Sequence, residues 1–269
     1  MDDTRGRITK DGIRIYSDAD FAGMAKAGRV AAEILDDVAA LVVPGVTTAA
    51  LDAFVTDEVT RRGVISATIG YKGYQHASCI SVNHVVCHGI PGPKVLADGD
   101  IANIDVTVIV DGWFGDTSRM YVAGTLGRKA ERLIEVTHEA LSLGIAAVKP
   151  GASFGDIGHA IQSHVEGKGM SVVRDFCGHG LGRVFHAPPN VLHYGRPGTG
   201  PVLEEGMFFT IEPMVNLGRP ESKVLADGWT AVTRDKALSA QYEHSIGVTA
   251  TGCEIFTLSP AGKFFRTWE

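Results

Sequence analysis

The chain has 269 residues, of which 45% are hydrophobic and 21% charged; that is enough apolar material for a packed core and excludes a disordered or fibrous chain. Its 25 Lys+Arg against 31 Asp+Glu leave a net charge of −6 with no block of like charges, which argues against nucleic acid or anionic lipid as the main partner. No run reaches the roughly 18 apolar residues of a membrane span, and four cysteines without a C-x-x-C pair suit a reducing compartment and neither a disulfide scaffold nor a cysteine zinc module, so a cytoplasmic address is expected.

Residues 1–17 read as a short N-terminal extension, and 18–269 as one catalytic domain. Helices are expected over 18–42 and 47–62, on either side of Val43-Pro44-Gly45-Val46-Thr47, with Thr47 as an N-cap. From Asp100 to Asp111, apolar Ala102, Ile104, Val106, Val108 and Val110 alternate with Asn103, Asp105 and Thr107, which predicts a strand with one buried face. Asp111-Gly112 is a two-residue hairpin signal that pairs Val110 with Trp113 and Thr107 with Asp116. Asp105 and Asp116 then become diagonal neighbours on one face, about 7 to 8 Å apart. Helices are expected again over 128–147 and 153–166, around Lys149-Pro150-Gly151-Ala152-Ser153, and Ser153 with Asp156 has capping-box spacing. Further on, the glycines of Cys177-Gly178-His179-Gly180-Leu181-Gly182 are expected to leave His179 on an uncrowded backbone. Strand-like segments follow at Thr210-Ile211-Glu212 and Gln241-Tyr242-Glu243-His244-Ser245-Ile246.

Three matches in the same order point to an internal duplication. Pro44-Gly45 recurs as Pro150-Gly151, 106 positions on, and Leu96 to Asp105 recurs as Leu203 to Glu212, 107 positions on. Asp111-Gly112-Trp113 recurs as Asp227-Gly228-Trp229 at an offset of 116, which places an insertion of about nine residues in the second half. Each half, about 18–125 and 126–257, reads as two helices followed by strands. Helices grouped before strands favour an antiparallel α+β sheet over a parallel wound one. Glu212 takes the place of Asp105 in the second half, so a pseudo-two-fold axis would gather acids from both halves. Carboxylates held that close repel unless one is protonated or a cation lies between them. Four carboxylates and one imidazole are hard ligands suited to Mn²⁺, Fe²⁺, Co²⁺ or catalytic Zn²⁺. Two such ions would balance the four negative charges, and a carboxylate bridging a pair of ions is a recurrent hydrolytic arrangement.

His88-Gly89-Ile90-Pro91, Asn103-Ile104-Asp105, Gly115-Asp116-Thr117, Gly178-His179-Gly180-Leu181-Gly182, Thr210-Ile211-Glu212-Pro213-Met214 and Gln241-Tyr242-Glu243-His244 occur in the order seen in type I methionine aminopeptidases. The resemblance spans about residues 18–257. It implies the pita-bread fold, an antiparallel sheet flanked by helices with a dinuclear metal site on the pseudo-two-fold axis. The ligands it implies are Asp105, Asp116, His179, Glu212 and Glu243, with Asp116 and Glu243 bridging two divalent ions (Co²⁺, Mn²⁺, Fe²⁺ or Zn²⁺). A hydroxide bridging the ions would attack the first peptide carbonyl, Glu212 would also take the proton of the attacking water, His88 would contact the scissile amide nitrogen, and His186 would stabilise the oxyanion. Tyr71, Tyr74, Cys79, Phe185 and Trp229 would surround the methionine side chain. Ile69, Gln75 and His76 depart from the family pattern at the pocket rim.

The implied activity is removal of the N-terminal methionine when the second residue is small. Expected partners are N-terminal Met peptides and nascent chains, with the ribosome surface as a further contact; no membrane and no nucleic-acid specificity are expected, and a monomer suffices. Two rivals stand beside this reading. One is a proline-specific peptidase of the same fold, which usually carries a sizeable extra N-terminal domain where only some 20 residues precede the first repeat helix here. The other is a non-catalytic interaction protein retaining the fold, against which the full ligand set speaks. Cys87 and Cys177 read as packed thiols, His244 as a structural group, and His138, His159, His164 and His193 as histidines without a role. The segment 258–269 carries no assigned role.

Overall fold

The computed structural model describes residues 6–265 and 267; residues 1–5 of the N-terminal extension and 266, 268 and 269 of the C-terminal tail lie outside the described residues. Arg7–Ile8 (β1) and Arg14–Ile15 (β2) form a small hairpin. It does not stand apart: Ile13 is buried in the core of the second half, and the Tyr16 ring stacks on Phe208 at 4.5 Å.

Helix α1 (Asp18–Val38) begins with a capping box between Ser17 and Asp20, and Met24, Ala27, Ala31, Ile34, Leu35 and Val38 put one apolar stripe into the core. Helix α2 (Thr48–Arg61) is capped by Thr47, whose hydroxyl accepts the Ala50 amide. Then come β3 (Ile65–Ser66), β4 (Ser78–Val82), β5 (Val85–Cys87), β6 (Ile101–Val110) and β7 (Trp113–Val122). The β6–β7 register pairs Val110 with Trp113 and Thr107 with Asp116, as the hairpin signal predicts, and Asp111 and Gly112 take the left-handed conformations a two-residue turn needs. The α1 axis comes so close to this hairpin that a Cβ on Gly115 would collide with the Ala27 carbonyl.

The second half repeats the plan. Helices α3 (Arg128–Ala146) and α4 (Phe154–Gly167) precede β8 (Ser171–Val172), β9 (Gly178–Gly180), β10 (Ala187–Val191), β11 (Phe208–Ile211) and β12 (Met214–Asn216). The remaining strands are β13 (Ser222–Val224), β14 (Ala231–Thr233), β15 (Ser239–Gln241), β16 (His244–Val248) and β17 (Cys253–Ile255). Every strand pair among the described residues is antiparallel. The duplication appears in matched backbone bonds: Gly45 N–H donates to Leu96 O and Leu96 N–H to Val46 O, while Gly151 N–H donates to Leu203 O and Leu203 N–H to Ala152 O.

The third sequence match has a different structural meaning from the other two. Thr107 pairs with Asp116 and its counterpart Met214 with Gln241, so the offset between halves grows from 107 to 125, eighteen extra residues against the nine expected. They form the β13–β14 hairpin, which adds to β5 and carries Asp227-Gly228-Trp229 near its tip. Trp113 is a buried strand residue 5.5 Å from Tyr16, whereas Trp229 faces a cavity, so the two Asp-Gly-Trp segments are not counterparts.

Among the described residues two large apolar clusters, one under α1 and α2 and one under α3 and α4, are accompanied by a small third one of Val86, Cys87, Val173, Met214 and Ala231. The two large clusters interleave: Ile101, Met120 and Val122 of the first half belong to the second cluster, and Leu181, Phe208 and Phe256 of the second half belong to the first. The polar side of β6 departs from the expected one-sided strand. Asn103 and Thr107 are as buried as their apolar neighbours because β6 lies against the second half along the seam.

Candidate metal centre

At the seam, β6 and β7 of the first half meet the segment between β15 and β16. Glu243 N–H donates to Ser118 O (3.1 Å), and the Thr117 hydroxyl donates to Glu243 O (2.7 Å). Asp116, on β7, accepts the Thr107 hydroxyl across the hairpin at 2.7 Å. His179 comes from β9, which is squeezed between β10 and β11. A Cβ on Gly178 would collide with Thr210 O, and one on Gly180 with Pro188 O. The glycines therefore serve a crowded strand, the opposite of the uncrowded backbone expected. Glu212 follows the end of β11, where Pro213 interrupts the ladder. Thr210 donates to its Oε1 (2.8 Å) and Gln241 Nε2 to its Oε2 (3.2 Å).

The donors converge. Ligand atoms of Asp116, His179 and Glu243 lie within 4.8 Å of one another. His179 Nε2 is 3.5 Å from Asp116 Oδ2 and 3.8 Å from Glu212 Oε1. His179 Nδ1 lies 3.1 Å from Gly180 O; a carbonyl can only accept, so Nδ1 carries a proton and Nε2, facing the carboxylates, is left as the ring atom a cation could take. Asp105 and Glu212 line the same cavity, and buried Asp105 Oδ1 has no hydrogen-bond partner.

Electrostatics give the same reading. Burial, then Asp116 and Glu212, hold the Asp105 carboxyl well above the usual carboxylate range. Burial is also the main cause for Glu212, pushed up to about 7, and for Glu243, raised further with Asp116 and Glu212 as additional causes. His179 moves upward although burial pulls it down, because Asp116 and Glu212 outweigh that loss. A cluster that favours protons at four buried sites lacks positive charge. An orphaned carboxylate oxygen, an imidazole nitrogen facing the carboxylates and converging acids fit a divalent cation bound by oxygen and nitrogen donors.

The cavity holds about 320 Å³ and is lined by the five donors together with His88, His186, Tyr71, Tyr74, Cys79, Phe185 and Trp229, so every site residue expected from sequence opens onto one space. His186 stands at the mouth, its Nδ1 3.0 Å from the Tyr71 hydroxyl and its ring 4.1 Å from that of His179. Burial, then His179, push it down to about 4. His88 has a left-handed backbone (φ 56°) and sits edge-on to Phe176 and Trp229; burial lowers it. Of the unusual rim residues, Ile69 is exposed, and Gln75 donates to Gly73 O (2.8 Å). His76 braces the Tyr74 ring edge-on (5.7 Å) and lies 2.9 Å from Asp52 Oδ2.

Some contributors escaped the sequence reading. Lys72, Asp175, Phe176 and Met214 line the cavity, as does half-buried Cys177; Cys87 also reaches its wall and is the packed thiol expected, buried with Val86, Val173, Met214 and Ala231. His193, read as a histidine without a role, is fully buried, and its Nε2 accepts the Glu212 amide at 3.1 Å. No local signal marks it. Gln241 could have been found from its position two residues before Glu243.

The family profile of metallopeptidase family M24 matches residues 22–250. The chain belongs to that family. Within M24 it is 56% identical over 249 residues to the methionine aminopeptidase of Rickettsia prowazekii, covering 92% of this chain and 96% of the relative. The crystal structure of a methionine aminopeptidase from the same organism superposes with a TM-score of 0.91, covering 91% of this chain and all of the other at 55% identity. A prolidase from Pyrococcus horikoshii shares the M24 fold at a TM-score of 0.71 and 21% identity, covering 90% of this chain and 63% of that one. The M24 match and these structures give the chain the pita-bread metallopeptidase fold that the family resemblance implies, with the antiparallel sheet and two similar halves expected from its repeat. Among the described residues, no helix is long and apolar enough to cross a membrane.

Proposed function

We propose that this chain is a methionine aminopeptidase, which removes the N-terminal methionine from peptides and nascent proteins when the second residue is small. The observation that carries the reading is the convergence of five donors from both halves on one cavity whose far wall is aromatic and thiol. Asp105, Asp116, His179, Glu212 and Glu243 would hold two divalent ions, whose charge balances the four carboxylates; Mn²⁺, Fe²⁺, Co²⁺ and Zn²⁺ all suit this donor set. Bound there, such cations polarise a carbonyl and make water more acidic.

The rest of the work falls to side chains. Tyr71, Tyr74, Cys79, Phe185 and Trp229 accept an unbranched thioether, a favourable match of sulfur to aromatic faces. Glu212, held by Thr210 and Gln241, is positioned to take a proton from the attacking water. His88 contacts the scissile amide nitrogen, and His186, whose Nδ1 is tied to Tyr71, offers Nε2 to the developing oxyanion. All donors come from a single chain, so a monomer suffices. A reading in which nascent chains are substrates carries with it a cytoplasmic address and contact with the ribosome surface as parts of the same proposal.

The test incubates the chain with Met-Ala, Met-Leu and Xaa-Pro peptides, each divalent ion in turn, and follows release by mass spectrometry. Methionine is expected only ahead of the small residue, and a chelator is expected to abolish it. Cleavage confined to Xaa-Pro would favour the proline-specific rival, and no cleavage with any ion would favour a binding protein.

A further inference from the structure

After β17 the chain crosses the back of the seam and touches both halves there. Ser259 Oγ donates to Asp36 Oδ1 (2.6 Å) and the Ala261 amide to Asp36 Oδ2 (3.3 Å), on α1 of the first half. Asp36 is also paired with Arg119, a fully buried residue of β7, whose Nη1 reaches Lys263 O at 3.4 Å. On the other half, the Phe264 ring stacks on His244 with centroids 3.8 Å apart and planes 18° apart. It lies 5.3 Å from Tyr242, and the Arg119 guanidinium sits 5.4 Å from its centroid. Phe265 stacks on His138 of α3 at 4.2 Å and 17°.

Tyr242 and His244 flank Glu243, and alternation along extended backbone turns their side chains away from the cavity. Glu243 is thus held along its backbone edge by Ser118 and Thr117, while Phe264 covers the side chains of both its neighbours, Tyr242 and His244, on the face turned from the cavity. Arg119, the residue after Ser118, is covered by the same ring. We infer that Phe264 is a positioning residue, clamping the Glu243 segment against β7 so that donors from the two halves stay within ligand distance. It is needed because the segment between β15 and β16 is not a ladder strand: it meets β7 through the single bridge of Ser118 with Glu243, backed by the Thr117 hydroxyl on Glu243 O. Sites whose supporting residues are left loose lose affinity through shifts of about 1 Å.

This inference rests on the metal-centre reading, and its test separates the two. Full-length wild type and the variants Phe264→Ala, Phe264→Leu and Phe264→Tyr are titrated with Mn²⁺ by calorimetry. Thermal midpoints and kcat and KM on a Met-Ala peptide are measured alongside. Phe264→Ala is expected to weaken Mn²⁺ binding about tenfold, the size typical of groups that orient ligands. It should lower kcat at limiting metal and leave KM at saturating metal unchanged. Phe264→Leu, which keeps the apolar cover and so the fold, should weaken binding in the same direction because it lacks the flat ring, and Phe264→Tyr should restore wild-type affinity. Wild-type affinity and kcat in Phe264→Leu, or in a Phe264→Ala that merely melts earlier, would overturn the inference. A wild-type chain that binds no divalent metal would overturn the metal centre and this inference together.

Discussion

His179 shows how local chemistry aims a candidate ligand. The Gly180 carbonyl selects its tautomer, and Gly178 and Gly180 let β9 lie close enough to its neighbours to aim Nε2 at Asp116 and Glu212. Removing a donor should therefore empty the site, whereas removing a histidine that only touches substrate should not. His179→Ala and Asp105→Asn are expected to lose bound metal by elemental analysis. His88→Ala and His186→Ala should keep it and lose about 100-fold or more in kcat, the scale of a single proton donor or oxyanion partner. His193 adds a pH prediction. Burial pushes its imidazole down to about 3, while an unfolded histidine titrates near 6.5. As pH falls from about 6.5 toward 3, the unfolded chain takes up a proton that the folded chain refuses, so folding becomes less favourable across that window. His193→Gln should flatten part of that loss in denaturation midpoints measured against pH. An equal slope in variant and wild type would contradict it. The motifs carried the donors plainly, but not His193, because its partner is a backbone amide exposed by the Pro213 break, which exists only once β11 and β12 are folded.

Elements were legible wherever a local rule decided them. Thr47 and Ser153 cap α2 and α4 as their positions in the sequence predict, and the β6–β7 register follows from Asp-Gly between alternating residues; each is readable in a single window of chain, whereas α3 starts at Gly127, which offers no side-chain cap. The second half was less legible because its counterpart strands are cut short by Pro213 and by eighteen inserted residues, so no window displays a full alternation. The buried polar face of β6 was also hidden, since alternation tells which residues share a face and not what covers it. The cap of α4 gives a test at this scale. Ser153 accepts the Asp156 amide, Asp156 Oδ2 takes the Ser153 amide and hydroxyl, and backbone donation from Ser153 is the main cause holding the Asp156 carboxyl below its usual range. Ser153→Ala is expected to cost about 1 kcal/mol of stability in urea melts with the metal content unchanged. A loss of metal in that variant would mean that α4 is coupled to the site more tightly than its position suggests.

For the molecule as a whole, the seam is what the halves share. Each core borrows residues from the opposite half, and the donors divide between them, with Asp105 and Asp116 on one side and His179, Glu212 and Glu243 on the other. Two copies joined in this way are expected to unfold together, as one domain in the thermodynamic sense. Metal binding then sharpens the test, because a ligand bound only by the folded chain adds RT ln(1 + [L]/Kd), about 2.7 kcal/mol at a hundredfold excess over Kd. With both halves supplying donors, that increment belongs to the global transition. Calorimetry is expected to give a single peak whose calorimetric and van't Hoff enthalpies agree, moving up by about 5 °C or more with saturating Mn²⁺, and Asp105→Asn should keep the single peak while losing the shift. Two peaks, of which only one responded to metal, would show that the halves fold separately and that the seam does not couple them.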